Sequence, residues 1–217
     1  MRKLILKMSM TVDGFVSGPK HESEWLFANT DPSADEWSVK TAWQAGAHVM
    51  GSNTFRDMAG WWPSSTEIFA PAMNEIPKVV FSKDPNVTSK SKWTKVKSTA
   101  DSTKASAGKR AKASVTTENE ESWADARVMS GDLAKDIAKL KSEKGNDLIA
   151  WGGVGFARSL LRAGLVDELD LTVYPAAIGK GLSIFSELPK TMSLELKSAQ
   201  AFSKGVVAHV YRVKRKK

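Results

Sequence analysis

The chain has 217 residues, of which 41% are hydrophobic and 26% charged, so it can bury one sizeable core, and its length favours a single domain over residues 1–217. It contains no cysteine, which excludes disulfides and thiolate chemistry and favours a reducing compartment, the cytoplasm. The net charge of +8 owes much to a basic tail at 212–217, so we expect no nucleic-acid binding.

The first third of the chain alternates between strand and helix patterns. Residues 2–10 are rich in Leu, Ile and Met and predict a buried central strand, followed by a loop at 11–18. A helix is predicted from a cap at Ser33 to Ala45, and a short strand follows at 47–50. A second, short helix is expected at 51–58.

The middle of the chain changes character. Residues 78–82 predict a strand, and 93–97 and 126–129 are weaker strand candidates. Between these two, residues 98–121 contain Ser, Thr, Ala, Lys and Glu with one valine and no aromatic residue. Such a segment buries too little apolar surface to offset the entropy of ordering it, so we interpret it as a mobile surface insertion.

The patterns in the last third of the chain predict two helices and four strands. One helix begins at a cap on Ser130, and a strand at 147–151 leads through glycines into the other, which ends at Gly164. Residues 169–173 alternate between apolar and polar, which predicts a strand with one solvated face. The patterns at 194–197 and 206–213 predict a closing antiparallel pair.

These patterns predict an α/β fold with a mixed, mostly parallel sheet, helices on both faces and a C-terminal antiparallel strand pair. The longest uncharged apolar stretch, at 148–157, is too short to span a bilayer, so we expect no membrane partner.

The strongest local signal for function is Gly152-Gly153-Val154-Gly155, which stands between a predicted strand and a helix. Glycines at such a junction let backbone N–H groups and a helix N-terminus approach a pyrophosphate. They also suit an ordinary tight turn, and Arg158 stands where a Rossmann fingerprint needs its third glycine. The motif therefore indicates phosphate binding in another nucleotide fold, or a turn.

Two further strand ends carry groups that suit an anion. Gly51-Ser52-Asn53-Thr54 opens a helix, where Ser52 or Asn53 could equally act as a cap. Ser82 and Lys83 end the next strand with a hydroxyl and a cation. Because parallel strands end at one edge of a sheet, we expect all three groups to converge there.

Asp13 leaves the first strand at the same edge and is the candidate catalytic carboxylate, although aspartate before glycine is common in turns. The three histidines, His21, His48 and His209, lack metal-ligand spacing, and we expect no metal site.

Together these motifs resemble the dihydrofolate-reductase-like superfamily, and specifically the C-terminal reductase domain of the bifunctional riboflavin-biosynthesis deaminase-reductase and its stand-alone relatives. The match covers most of the chain outside the insertion. It rests on the stretch from Ser9 to Phe15, Trp25, Gly51-x-x-Thr54-Phe55, Trp62-Pro63, Val80-Phe81-Ser82-Lys83, the Gly152 turn and Pro175-x-x-x-Gly179-x-Gly181.

The resemblance implies a three-layer fold that binds NADPH across the carboxyl ends of the strands. Residues 152–155 would lie at the pyrophosphate, residues 51–54 with Ser82 and Lys83 around the adenosine phosphate, and Asp13 at the nicotinamide and substrate. Relatives commonly carry arginine where this chain has Ser52, and we expect no fused deaminase domain. A homodimer is also implied.

The function that follows is NADPH-dependent hydride transfer to a small heterocyclic or ribosylamine substrate, as in 5-amino-6-(5-phosphoribosylamino)uracil reductase. Asp13 would orient that substrate or relay a proton, and Phe15, Trp25 and Trp62 could stack on a flat ring or pack in the core. The alternatives are a dihydrofolate or pterin reductase and a nucleotide-binding module without turnover.

Overall fold

A computed structural model describes residues 1–87 and 117–214. The strand candidate at 93–97, most of the insertion predicted at 98–121 and the end of the basic tail lie outside the described residues. The described residues form seven α-helices, with a 3₁₀ turn at Trp62–Ser64, and eight strands: β1 (Leu4–Thr11), α1 (Glu24–Ala28), α2 (Pro32–Trp43), β2 (Ala47–Gly51), α3 (Ser52–Ala59), α4 (Ala70–Glu75), β3 (Lys78–Phe81), α5 (Thr117–Ala124), β4 (Arg127–Met129), α6 (Leu133–Ser142), β5 (Leu148–Ala150), α7 (Val154–Arg162), β6 (Glu168–Tyr174), β7 (Leu194–Ala201) and β8 (Val207–Val213).

The strands form one sheet in the order β4-β3-β2-β5-β1-β6-β8-β7. The six strands from β4 to β6 pair in parallel, and β8 is antiparallel to both of its neighbours. The carboxyl ends of β1 to β6 therefore meet at a single edge of the sheet. The expected mixed, mostly parallel sheet with a C-terminal antiparallel pair is confirmed.

Helices cover both faces of the sheet. Adjacent residues of a strand point to opposite faces, and Val49 and Met50 of β2 accordingly belong to separate core clusters. Val49 packs with apolar residues of α6 and α7, whereas Met50 packs with Phe55 of α3 and Trp123 of α5. The result is the three-layer arrangement implied by the resemblance.

Two predicted helix caps are each wrong by two residues. Asp31, rather than Ser33, caps α2, because Pro32 occupies its first position and the Asp31 carboxylate accepts the Ser33 N–H at 3.0 Å. Asp132, rather than Ser130, caps α6 by accepting the Lys135 N–H at 2.9 Å. The sequence patterns also missed α1 and α4, which are too short to show helical periodicity.

The predicted solvated face of β6 is also wrong. Asp170 is 2% exposed, and its carboxylate binds the Lys7 ammonium of β1 at 3.2 Å. Burial is the main cause that raises the pKa of Asp170 and lowers the pKa of Lys7, and the attraction between the two charges opposes it. The Trp37 ring of α2 lies over the Lys7 ammonium, so the helix layer covers this pair.

The predicted insertion reaches too far along the chain. Its last residues, 117–121, belong to α5. Trp123 in the same helix is 1% exposed and donates its indole N–H to the side-chain oxygen of Asn74 at 2.8 Å. This anchor fixes α5 to α4, and it lies two residues beyond the segment judged by composition. Within the described residues, no helix is long and apolar enough to cross a membrane.

Candidate functional site

The structure brings most of the predicted site residues to one edge of the sheet. Along that edge the strands follow the order β3, β2, β5, β1, β6. Their ends therefore place Ser82 and Lys83, then residues 51–54, then residues 152–155, then Asp13 next to one another. The expected convergence of the phosphate-type motifs is a consequence of this parallel order.

The glycine turn after β5 is fastened to the start of α3. The Gly153 N–H donates to the Thr54 hydroxyl at 2.6 Å, and the Gly51 N–H donates to the Gly152 carbonyl at 3.4 Å. Gly152 has a φ of +81°, a backbone conformation that residues with a side chain rarely adopt. Gly153 directly precedes the first turn of α7. The N-termini of α3 and α7 therefore lie side by side, with their free N–H groups available to one anion.

The glycines of this edge meet different surroundings. A Cβ on Gly51 would lie 3.1 Å from the Cβ of Phe156, and one on Gly153 would lie 3.1 Å from the Thr54 hydroxyl, so internal packing alone explains these two. A Cβ on Gly155 would meet no heavy atom within 4 Å. The surface of α7 at Gly155 is therefore open, and internal packing does not explain this glycine.

Asp13 joins two loops rather than projecting free into solvent. One carboxylate oxygen accepts the Thr11 hydroxyl at 2.5 Å, and the other accepts the backbone N–H groups of Ile178 and Gly179 at 3.0 and 2.8 Å. The Thr11 hydrogen bond, supported by the two backbone bonds, lowers the pKa of Asp13. The carboxylate is therefore ionised at neutral pH and holds the loop after β1 against the loop after β6.

The three aromatic candidates have different surroundings. Trp25 contacts Tyr174 edge-on at 5.6 Å between ring centroids, and its indole N–H is buried without an acceptor among the described residues. Phe15 borders Gly181, whose added Cβ would lie 3.0 Å from the Phe15 Cβ. Trp62 packs against Phe69 in the core cluster of α3, α4 and α5. Trp25 thus keeps an unused donor, whereas Trp62 has the packing of a core residue.

A hydrogen-bonded histidine supports the strand that leads into the glycine turn. The indole N–H of Trp151 donates to Nδ1 of His48 at 2.8 Å, so the other ring nitrogen carries the proton and donates to the Ala72 carbonyl at 3.1 Å. Burial lowers the pKa of His48 to about 4. His48 and Trp151 are 103 positions apart, and sequence reasoning, which examined histidines for metal spacing, missed them.

A second carboxyl group lies near this edge, and the sequence patterns did not predict a role for it. Asp35 of α2 is half-buried, and burial, with the charges of Asp31 and Glu67, raises its pKa. Tyr174, at the end of β6, is 6% exposed, and burial followed by the charge of Asp35 raises its pKa. Asp35 therefore accepts a proton more readily than Asp13 does. Its position on α2 beside buried Ala34 and Ser38 could have indicated a half-buried carboxylate.

A cavity of about 560 Å³ opens at the opposite, amino-terminal edge of the sheet. Among its charged groups, Arg127 and Arg2 both contact Glu143, at 2.7 and 3.8 Å. The ammonium of Lys78 is held by the Asn74 carbonyl and the Ser122 hydroxyl. We assign this cavity no part in the chemistry of the glycine turn.

Comparisons with known proteins agree with this geometry. A family model described as the RibD C-terminal domain matches residues 2–208. The uncharacterized protein YyaP of Bacillus subtilis (strain 168) is 27% identical over 210 residues, which are 97% of this chain and 94% of that protein.

Two solved structures share the fold. Dihydrofolate reductase from Enterococcus faecalis, complexed with NADP(H), superposes with a TM-score of 0.57 at 12% identity, covering 98% of this chain and 97% of that one. The diaminohydroxyphosphoribosylaminopyrimidine deaminase/5-amino-6-(5-phosphoribosylamino)uracil reductase of Thermotoga maritima superposes with a TM-score of 0.61 at 13% identity, covering 98% and 57%. At these identities the likeness establishes the dihydrofolate-reductase-like fold.

Proposed function

This chain belongs to the RibD C-terminal domain family, and we propose on that premise that it is an NADPH-dependent reductase of a small heterocyclic or ribosylamine substrate. The observation that carries the proposal is the open first turn of α7 at Gly155, beside the N-terminus of α3. The site suits a dinucleotide, because two helix N-termini and a cation on Lys83 face one edge.

The protein's own residues divide the task along that edge. Residues 152–155 would hold the pyrophosphate through backbone N–H groups, and Ser52, Asn53, Thr54, Ser82 and Lys83 would surround the adenosine phosphate. The nicotinamide, when bound, supplies a hydride. Asp13, held in place by the backbone N–H groups of Ile178 and Gly179, would orient the substrate through its negative charge.

The substrate proposed is 5-amino-6-(5-phosphoribosylamino)uracil or a close ribosylaminopyrimidine. The experiment is a titration of the protein with NADPH, followed by loss of nicotinamide absorbance against ribosylaminopyrimidines and dihydropteridines. Turnover with a ribosylaminopyrimidine supports the proposal, and turnover with dihydrofolate alone replaces it with a pterin reductase. NADPH binding without any turnover indicates a nucleotide-binding module, and no NADPH binding overturns the whole proposal.

Lys83 provides a direct test of the adenosine end. It is exposed at the carboxyl end of β3, so water competes with a bound phosphate for its ammonium group. A charge-assisted hydrogen bond contributes about 1.5 kcal/mol at the low end, which is about tenfold in affinity. We expect Lys83→Ala to weaken NADPH binding about tenfold and NADH binding hardly at all, an effect that added salt reduces. Lys135→Ala, an exposed lysine on α6, is the control, and equal weakening of both cofactors would contradict the assignment.

We also propose that the protein is a homodimer. Strand β7 ends the sheet, its residues from 195 to 201 are exposed, and Leu196 is 55% exposed. An uncovered edge strand is a common pairing surface. Sedimentation at micromolar concentration is expected to give about twice the 23.7 kDa chain mass. Leu196→Lys should shift the protein to a monomer. Ile68→Lys, at a similarly exposed position before α4, is the control and should leave the dimer intact. A monomeric wild type would refute the dimer.

A further inference from the structure

The glycine turn after β5 is held by side chains on both faces of the sheet. On the face covered by α6 and α7, a Cβ added to Gly152 would lie 3.0 Å from the Met8 sulfur, so the thioether packs directly against the turn. On the opposite face, Trp151 immediately precedes the turn and donates its indole N–H to Nδ1 of His48 at 2.8 Å. The two rings meet edge-on, with their centroids 5.5 Å apart.

His48 belongs to a hydrogen-bonded chain that joins three elements. It lies in β2, is completely buried, and donates from its other ring nitrogen to the Ala72 carbonyl of α4 at 3.1 Å. Burial lowers the pKa of His48 to about 4, so at neutral pH the ring is neutral and Nδ1 can accept from Trp151. The indole of Trp151 is therefore tied to α4 through His48, while its backbone N–H donates to the Val49 carbonyl of β2 at 3.0 Å.

The turn has reason to depend on this anchor. Three of its four residues, 152–155, are glycines, which lose more conformational freedom on ordering than any other residue. Of its bonds to the start of α3, the one from the Gly51 N–H to the Gly152 carbonyl is long, at 3.4 Å. A turn that already has its bound conformation loses less entropy when a ligand arrives, so fixing the residue before it favours binding.

We propose that His48 is a positioning residue for dinucleotide binding: it fixes the indole of Trp151 and thereby holds the glycine turn in the conformation that receives the pyrophosphate. The proposal rests on the function proposed above and deepens it, because it names what prepares the pyrophosphate site. His48 itself is completely buried, three residues before the end of β2, and acts without touching the ligand. Its influence is therefore confined to ligands that reach the turn.

The test is calorimetry with NADPH, NADH, ADP-ribose and 5′-AMP, of which only 5′-AMP lacks a pyrophosphate. Trp151→Phe keeps an aromatic ring and removes the indole N–H. We expect it to weaken the three pyrophosphate ligands by about three- to tenfold, the range for one hydrogen bond, and 5′-AMP by less than about twofold. His48→Leu should do the same. His48→Gln, which can accept from the indole and donate to the Ala72 carbonyl, should stay within about twofold of the wild type.

Trp123→Phe is the matched control for stability. Trp123 of α5 is also buried and also donates its indole N–H, to the side-chain oxygen of Asn74 at 2.8 Å. Its replacement should lower the melting temperature as Trp151→Phe does, yet leave all four binding constants unchanged. The double variant of His48→Leu and Trp151→Phe should weaken NADPH no more than either single variant, because both remove the same bond.

Three results would overturn the role of His48 while the proposed function stands. They are wild-type affinity in Trp151→Phe and His48→Leu, equal weakening of 5′-AMP, and a double variant in which the two losses multiply. If His48→Leu does not fold, Trp151→Phe and its control decide the question. A wild type that binds none of the pyrophosphate ligands overturns the proposed function itself, and this inference with it.

Discussion

Asp13→Asn is expected to lower turnover by about two orders of magnitude while NADPH affinity stays within a few-fold of the wild type. Asparagine can keep the shape of the site, because its oxygen can accept from Ile178 and Gly179 while its amide donates to the Thr11 hydroxyl. What the substitution removes is the negative charge. A loss of turnover therefore reports that charge acting on the bound substrate.

The matched control is Asp132→Asn, because Asp132 is another loop aspartate that accepts a backbone N–H, at the start of α6. It should keep full turnover. Asp13→Ala, which removes both loop contacts, should also lower thermal stability. Since the pKa of Asp13 is lowered, the carboxylate has no proton to give at neutral pH, and this favours the orienting role over proton relay. Full turnover in Asp13→Asn would show that Asp13 serves only to form the turn.

Acidification is expected to remove roughly 3 kcal/mol of folding stability through His48 alone. Burial, followed by the nearby positive charge of Lys78, lowers the pKa of His48 from 6.5 to about 4, against the raising effect of the Ala72 carbonyl. The unfolded chain binds this proton at a higher pH than the folded chain does. The folding stability that depends on neutral His48 is therefore complete above about pH 6.5 and is lost as pH falls towards 4. Each pKa unit is worth about 1.4 kcal/mol.

The measurement is urea unfolding at several pH values between 7 and 4 for wild type and His48→Gln. Glutamine can accept a hydrogen bond from Trp151 and donate one to Ala72, but it does not titrate. The free energy of unfolding of the variant should therefore fall less steeply with falling pH, with a slope that is smaller by up to one bound proton. His21→Asn, at an exposed position with a φ of 68°, should follow the wild type. Parallel curves for wild type and His48→Gln would show that His48 does not titrate in this range.

The sequence predicted what depends on local chemistry. The strand predicted at 2–10 is confirmed as a central strand, because most of its residues are apolar, as in a strand buried on both faces. The glycines at 152–155 marked the turn before α7. The convergence of Gly51, Lys83 and Asp13 followed from the parallel order. These inferences needed only periodicity, glycine and the geometry of parallel strands.

The errors arose from partners that are distant in the chain. Asp170 looked solvated because its partner, Lys7, lies 163 positions earlier and supplies the charge that makes burial possible. His48 showed no function because Trp151 and Ala72 reach it only in the folded sheet.

The position of β1 in the sheet has a consequence for synthesis on the ribosome. Leu4 pairs with Leu148 of β5, and Ile5 pairs with Glu168 of β6, so both neighbours of this apolar strand are made well over a hundred residues after it. Until they emerge, β1 has two unpaired edges and exposed apolar side chains, a state that favours aggregation or chaperone binding. The central part of the sheet is therefore completed only late in translation or after it.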